Sequence, residues 1–331
     1  MTAANLVNPP TTALSEILPQ LEQTAAYDAL KAMIAAGPAP AIGSGPVVPA
    51  NVGMLREVWN AGAGNGGGEA WRARVPSFLC PSDSGGRMQQ AVAPGPTNIR
   101  VSTGDWACRG GSNVESHNVS RGIFGGARGG SPTDQTFLSY LSSRVGLEAI
   151  NDGTSNTIML SERLIGSLND PSPKIGAGNQ PGVFDGTADA SNLTNPRECL
   201  NVLDRGEIRT PYASNEGANT TTRGYSYATN SSGLAWGDGA TFSIGFQTIL
   251  PPNAPACASA APLNGRALVP PSSNHPGGVT TVAADGSGRF VTDSVDTGDL
   301  TAAPRSGSGN SPYGIWGAYG STNGRESRPL P

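Results

Sequence analysis

Apolar positions recur with a helical spacing only at the front of the chain. Thr12 can cap a short turn through Leu14, Ile17 and Leu18, and Pro19 suits the first turn of a second helix. Leu21, Ala25, Leu30 and the pair Met33-Ile34 then predict one apolar face running to Ala36. A shorter helix is expected over 52–60, ended by a glycine-rich loop over 61–68. From Arg74 onward the period changes to that of strands separated by turns, with candidates at 99–102, 157–164, 225–229 and 241–250. Phe242, Ile244 and Phe246 alternate with small or polar residues, the pattern of a half-buried strand. The segments 169–190 and 253–265 read as long irregular connections.

The clearest local pattern is a hairpin over 275–292. Pro276, Gly277 and Gly278 make a turn, Val279 to Ala283 is a short β-branched run, Asp285-Gly286 is a hairpin-turn dipeptide, and the chain returns from Arg289. These patterns predict an α+β fold with an N-terminal helix layer on an antiparallel sheet, decorated by long Gly- and Pro-rich loops. No internal repeat or sharp boundary divides it. A single domain over 1–331 is expected, with a helical part at 11–60 and a strand- and loop-rich part at 74–331.

Composition sharpens this picture. The 331 residues include 46 glycines and 28 prolines, nearly twice the usual share of about 12%. Long helices should therefore be few. Charged residues are 14% and the net charge is −4, with 21 Lys and Arg scattered along the chain. No basic run marks a nucleic-acid footprint. No stretch approaches the ~18 continuous apolar residues that span a bilayer, and no basic, apolar leader reads as a signal peptide.

Candidate chemistry is sparse. None of Cys80, Cys108, Cys199 and Cys257 forms a C-x-x-C pair, which argues against zinc and thioredoxin-type chemistry. Four cysteines allow three pairings. Two disulfides are the natural expectation in an oxidising compartment, and Cys80–Cys108 with Cys199–Cys257 closes loops local to each half; buried free thiols are the alternative. No G-x-S-x-G elbow, P-loop, dinucleotide fingerprint or EF-hand loop occurs. The two histidines, His117 and His275, are too far apart in sequence to be placed together. His275 and Asp285 suggest a base with its orienting carboxylate, but an extended Val279–Ala283 run separates them by roughly 16 Å. Turn structure is the better reading: Asp285 caps its own turn and Gly286 supplies a positive φ. Recurrent Asp-Gly pairs raise calcium as the one cofactor to consider, with Asp152 and Asp238 as candidate ligands. Trp106, Trp236 and Trp316 lie beside Gly or Asp; they either plug loops onto the sheet or offer stacking surfaces to a sugar.

Several blocks carry a resemblance. They are His275, nine residues, then Asp285-Gly286; Phe78-Leu79-Cys80-Pro81-Ser82-Asp83; Asp152-Gly153-Thr154-Ser155-Asn156-Thr157 with Glu162-Arg163; Leu250-Pro251-Pro252-Asn253 with Cys257; Ser311-Pro312-Tyr313-Gly314-Ile315-Trp316-Gly317-Ala318; and Leu18-Pro19-Gln20-Leu21-Glu22-Gln23. Taken in chain order, and covering about 13–325, they resemble a prepilin-like H-x9-D-G domain family of planctomycetes and related bacteria, a domain of unknown function. Ala283 stands where that family usually has an aromatic, and Gly288 where it usually has Val. Both changes are expected to shrink the hairpin's apolar face. The resemblance implies a pseudopilin-like globular domain that is not an enzyme, extracytoplasmic in the periplasm or at the cell surface, working in surface assembly or secretion. It also implies a basic leader and a long hydrophobic helix ahead of residue 1 as the only membrane contact. Expected partners are other pilin-like subunits or surface components. The alternative is an extracellular binding module for polysaccharide or another ligand, with calcium as an aid.

Overall fold

The computed structural model describes residues 12–36, 73–83, 95–106, 121–124, 146–165, 183–185, 195–204, 207–208, 236, 244–254, 256–258, 267–305 and 308–325. The expected helix at 52–60, the loop at 61–68 and the strand at 225–229 lie outside these residues.

The N-terminus folds largely as its caps dictate. Thr12 Oγ1 accepts the Ser15 amide at 3.0 Å and opens α1, Ala13–Glu16. Its hydroxyl also donates to Trp236 O at 2.8 Å, pinning the first turn to a segment far along the chain. Pro19–Leu21 is a 3-10 turn rather than the first turn of a continuous helix. Glu22 takes a left-handed conformation, φ 59°, and breaks the run before α2, Thr24–Ala36. The break rotates the expected stripe. Leu30 is buried, but Ala25 is exposed; Leu21, Ala26 and Tyr27 supply the rest of the contact.

Five strands form the central sheet: β1 (Ile99–Ser102), β2 (Ile158–Glu162), β6 (Gly245–Phe246), β9 (Gly278–Ala283) and β10 (Gly288–Thr292), in the order β10-β9-β2-β1-β6. The numbers between belong to β3 (Val183–Asp185), β4 (Leu203–Asp204), β5 (Glu207–Ile208), β7 (Ala256–Ala258) and β8 (Ala267–Leu268). The architecture is α+β with a mixed sheet. It is not purely antiparallel, because β6 runs parallel to β1, pairing Val101 with Gly245 and Ser102 with Phe246. Strand β6 is two residues long, and Ile244 to Leu250 are buried throughout. The half-buried alternation expected there gives way because neighbouring segments cover both sides; the Gln247 amide, for example, donates to Val269 O. The two supposed loops are also partly ordered by pairing: β3 lies parallel to β7, and β8 antiparallel to β7. Three-residue strands carry too little periodic signal to be read ahead of their partners.

Strand β2 pairs Ile158 with Ala283 and Leu160 with Val282, so Met159 is an extra residue. Such a bulge inverts side-chain alternation. Ile158 therefore faces one side of the sheet and Leu160 the other. On Leu160's side pack Leu14, Leu18, Leu30, Val75, Phe78, Val101, Trp236 and Ile244. On Ile158's side lies α3, Gly314–Gly320, whose Trp316 and Tyr319 pack with Phe246, Val279 and Val291. Among the described residues, no helix is long and apolar enough to cross a membrane.

Candidate functional site

Strand β9 connects two polar clusters into which the sequence blocks converge. At its C-terminal end Ala283 pairs back with Ser287, and Gly286 N donates to Ala283 O at 2.9 Å. Three residues make the connection, with Gly286 left-handed at φ 87°. This is a type I turn closed by a glycine bulge rather than a two-residue turn. The Asp285 carboxylate accepts Ser287 N at 2.9 Å and Ser287 Oγ at 2.6 Å. These bonds, the hydroxyl first, hold its pKa below the ordinary carboxylate value. The turn is fastened to the Asp152–Thr157 block through Ala284 N to Thr157 O, 2.8 Å, and Asp285 N to Thr154 O, 3.2 Å.

Asp152, almost fully buried, ties that block to the C-terminal segment. One oxygen accepts Ser321 Oγ at 2.8 Å and Gly324 N at 2.7 Å, and the other accepts Arg325 N at 2.7 Å. These are donors aimed at a carboxylate, an anion-stabilising arrangement opposite to what a calcium ligand set presents. Asp238 lies outside the described residues. Among the described residues, no group of three His, Cys, Asp or Glu side chains could hold a metal ion.

At the other end of β9, His275 Nε2 stands 3.5 Å from Glu162 Oε2, while Glu162 Oε1 accepts Thr280 N at 2.7 Å. The Glu162 side chain is mostly buried and the His275 side chain is half exposed. The His275 amide donates to Ser273 Oγ at 3.0 Å, and the Ser273 hydroxyl closes the loop on Gly278 O at 2.8 Å. His275 and Asp285 thus sit at opposite ends of one strand; the carboxylate beside the imidazole is Glu162, from the Glu162-Arg163 pair. Asn274 Nδ2 donates to Ser82 O at 3.0 Å and brings the Cys80–Asp83 segment against this loop. Beneath it, Asp83 Oδ2 accepts Asn98 Nδ2 at 2.6 Å and Ile165 N at 2.9 Å.

The buried charges here were not singled out from the sequence. Arg100 and Arg163 are both buried, and Arg163 donates to Pro270 O. Burial pulls the Arg163 guanidinium down to about 10. Arg100 is also lowered, chiefly by burial and then by Arg163, with the Asp83 carboxylate opposing. A second ion pair, Arg121 Nε to Asp105 Oδ1 at 2.5 Å, is buried nearer the C-terminal segment. Burial raises the Asp105 pKa against the pull of Arg121. Asp83 and Arg163 lie inside recognisable blocks, which was the available signal. Arg100, Asp105 and Arg121 gave none, because sequence does not reveal that a charge is buried.

The remaining candidates divide. Trp236 and Trp316 are fully buried, and their indole N–H groups donate to Ala73 O and Leu250 O, each at 2.9 Å. They are core residues and present no stacking surface. Trp106 is half-buried. Cys80 carries a free thiol, with Sγ 3.0 Å from Ser82 Oγ, so the expected Cys80–Cys108 bridge is not formed. Cys199 is disulfide-bonded and buried. Cys108 and His117 lie outside the described residues. Ala283 is buried against the sheet whereas Gly288 is exposed, so only the first of the two hairpin departures removes core contact.

The blocks that build both clusters lie within residues 7–298 or just beyond them, and a family described as a protein of unknown function (DUF1559) matches residues 7–298. The chain belongs to the DUF1559 family. No curated protein and no solved structure matches it. In this DUF1559 chain the H-x9-D-G spacing corresponds to one strand with a polar fastening at each end: His275 meets Glu162, and Asp285 caps the turn that meets Thr154. Among the described residues, the Glu162–His275 pair places an accessible imidazole beside a carboxylate. The other motif carboxylates are occupied by amide and hydroxyl donors.

Proposed function

We propose that this chain is a non-enzymatic, pseudopilin-like globular domain, extracytoplasmic, that serves in cell-surface assembly or secretion. The observation that carries the reading is the use of the motif carboxylates. Asp83, Asp152 and Asp285 each hold neighbouring amides or hydroxyls, and in Asp83 and Asp152 they reach segments distant in the chain. Such groups build a rigid body rather than a reaction centre. The prepilin-like resemblance supports it further, as does the packing of α1 and α2 on one face of the sheet through Leu14, Leu18 and Leu30. That face is where a globular domain would hold the helical stem of a pilin-like subunit.

The binding-module alternative is weakened by the burial of Trp236 and Trp316, and keeps only the half-buried Trp106. Fractionation of native cells tests the main reading. The full gene product is expected in the sheared surface or periplasmic fraction, and retention in the cytoplasm would overturn it. A glycan array, read with and without calcium, tests the alternative; a saturable glycan signal lost on Trp106→Ala would make the binding module the better reading.

A further inference from the structure

The sequence holds three Asn-Gly pairs, at Asn65, Asn264 and Asn323, and the last of them lies among the described residues. Such a pair can react with itself. The glycine nitrogen attacks the side-chain carbonyl carbon of the asparagine, and glycine permits this because no Cβ shields its amide or restricts its backbone. Ring closure needs two freedoms: the glycine N–H must give up its proton, and the asparagine carbonyl must swing over the backbone. In this fold both are withheld. Gly324 is buried, and its N–H donates to Asp152 Oδ2 at 2.7 Å. Deprotonating it would set an amide anion against a buried carboxylate, and a like charge at that distance disfavours the ionised form. Asn323 Oδ1 accepts Asn151 Nδ2 at 3.3 Å, so the group to be attacked is tied to the residue before Asp152.

The backbone is anchored on both sides of the pair. Before it, Thr322 N donates to Arg121 O at 2.7 Å, and Thr322 O accepts Asn151 N at 2.8 Å. After it, Arg325 N donates to Asp152 Oδ1 at 2.7 Å. The Asp152 carboxylate thus spans the segment, with Ser321 Oγ and Gly324 N on one oxygen and Arg325 N on the other. The chain between Thr322 and Gly324 has a single length that satisfies both anchors.

We infer that Asn323-Gly324 is a self-modification site latched by Asp152. It stays unreacted while residues 321–325 are docked, deamidates when they undock, and in its isoaspartate form no longer docks. In the reaction a bond forms between Gly324 N and Asn323 Cγ, the Cγ–Nδ2 bond breaks, and ammonia leaves with the proton from Gly324 N. Water then opens the succinimide ring at either carbonyl, giving aspartate or isoaspartate; water is the sole co-reactant. In the isoaspartate product the main chain runs through the former side chain and is one atom longer between the two anchors. Gly324 N and Arg325 N then miss the Asp152 oxygens, and a buried carboxylate stripped of donors is costly. An opening of the C-terminal segment is thereby made permanent. The site uses no residue of the His275–Glu162 pair and does not depend on the proposed function.

Incubation at mildly alkaline pH, followed by mass-spectrometric mapping of the peptide that contains Asn323, tests this. Deamidation reads as the mass gain of amide hydrolysis, and isoaspartate as a separate isomer peak. Asn323 in the folded protein should react at least on the order of tenfold more slowly than in the same protein unfolded by urea, because local opening has to come first. Hydrogen exchange of the Gly324 amide should be slowed by a similar factor, since both processes need the same opening. Asp152→Asn keeps the size of the side chain but sets an NH2 group among N–H donors, so its Asn323 should react at a rate approaching that in urea. Gly278→Ala, at the far end of β9, should leave the rate unchanged. The purified isoaspartate form should exchange its Gly324 and Arg325 amides freely while the central sheet stays protected. Should Asp152→Asn fail to fold, Ser321→Ala decides, because losing one donor to Asp152 should speed the reaction part of the way. Equal rates in folded and unfolded protein overturn the inference. So do an unchanged rate in the folded Asp152→Asn or Ser321→Ala chain, a matching acceleration in Gly278→Ala, and undiminished amide protection in the isoaspartate form.

Discussion

Glycines at the two ends of β9 should differ in what an added methyl group costs. At Gly286 the cost is conformational alone: φ is 87° and nothing lies within 4 Å of the Cβ position. A left-handed non-glycine residue costs about 1–2 kcal/mol, and the stiffer unfolded chain returns about 0.4–1 kcal/mol. Gly286→Ala should therefore destabilise by about 1 kcal/mol. Gly278 has no positive φ, but its Cβ would stand 2.2 Å from Val291 O and 2.8 Å from Phe290 Cε1. The ring can turn aside; the carbonyl belongs to the β9–β10 ladder and cannot. Gly278→Ala should cost about 2–4 kcal/mol, the range of overpacking and a lost ladder contact together. Asp285→Asn should be milder than either, since Asn keeps an oxygen for Ser287. Thermal and urea denaturation of the three variants should give the order Gly278→Ala, Gly286→Ala, Asp285→Asn, with about 2–4 °C of Tm per kcal/mol. Equal losses at Gly278 and Gly286 would refute the geometric argument. Asp285→Asn with an unchanged Tm and a lost activity would refute the structural reading of the motif.

Other outcomes follow from the same contacts. Asp285 and Asp299 are held below the ordinary carboxylate value, chiefly by the Ser287 and Thr301 hydroxyls. A depressed folded-state pKa gives stability that is complete above the unfolded value of about 3.9 and is lost as pH falls through the folded one. Tm should therefore fall on acidification below about pH 4, and less steeply in Asp285→Asn/Asp299→Asn; identical slopes would count against it. Cys80 should be alkylated in the native, unreduced protein, as read by mass spectrometry, while Cys199 is protected; an unreactive Cys80 would contradict the free thiol. Trp236→Ala should destabilise by about 3–5 kcal/mol, because it empties a fully buried site and leaves Ala73 O without its donor. A Trp236→Ala chain that melts normally but loses a ligand would reverse that assignment.

What could be read ahead of the structure was local. The Thr12 cap, the strand at Ile99–Ser102 and the Asp285-Gly286 turn all arise from side chains acting on backbone within a few residues. Turn chemistry of this kind is written in neighbouring residues. The α+β class followed from the change of period after residue 74. Where two distant segments had to choose one another, the sequence alone was mute. It could not show that β6 lies parallel to β1, that β3 and β7 would pair out of apparent loops, or that a bulge at Met159 turns Leu160 to the helix side. The candidate site divides in the same way. The separation of His275 from Asp285 is a matter of strand length and was legible; the Glu162 carboxylate beside His275 depends on which strand lies next to β9. The buried Arg100 and Arg163, and the enclosure of Trp236 and Trp316, are likewise products of packing. Burial is a property of everything that surrounds a residue, and a linear pattern holds only its neighbours in the chain.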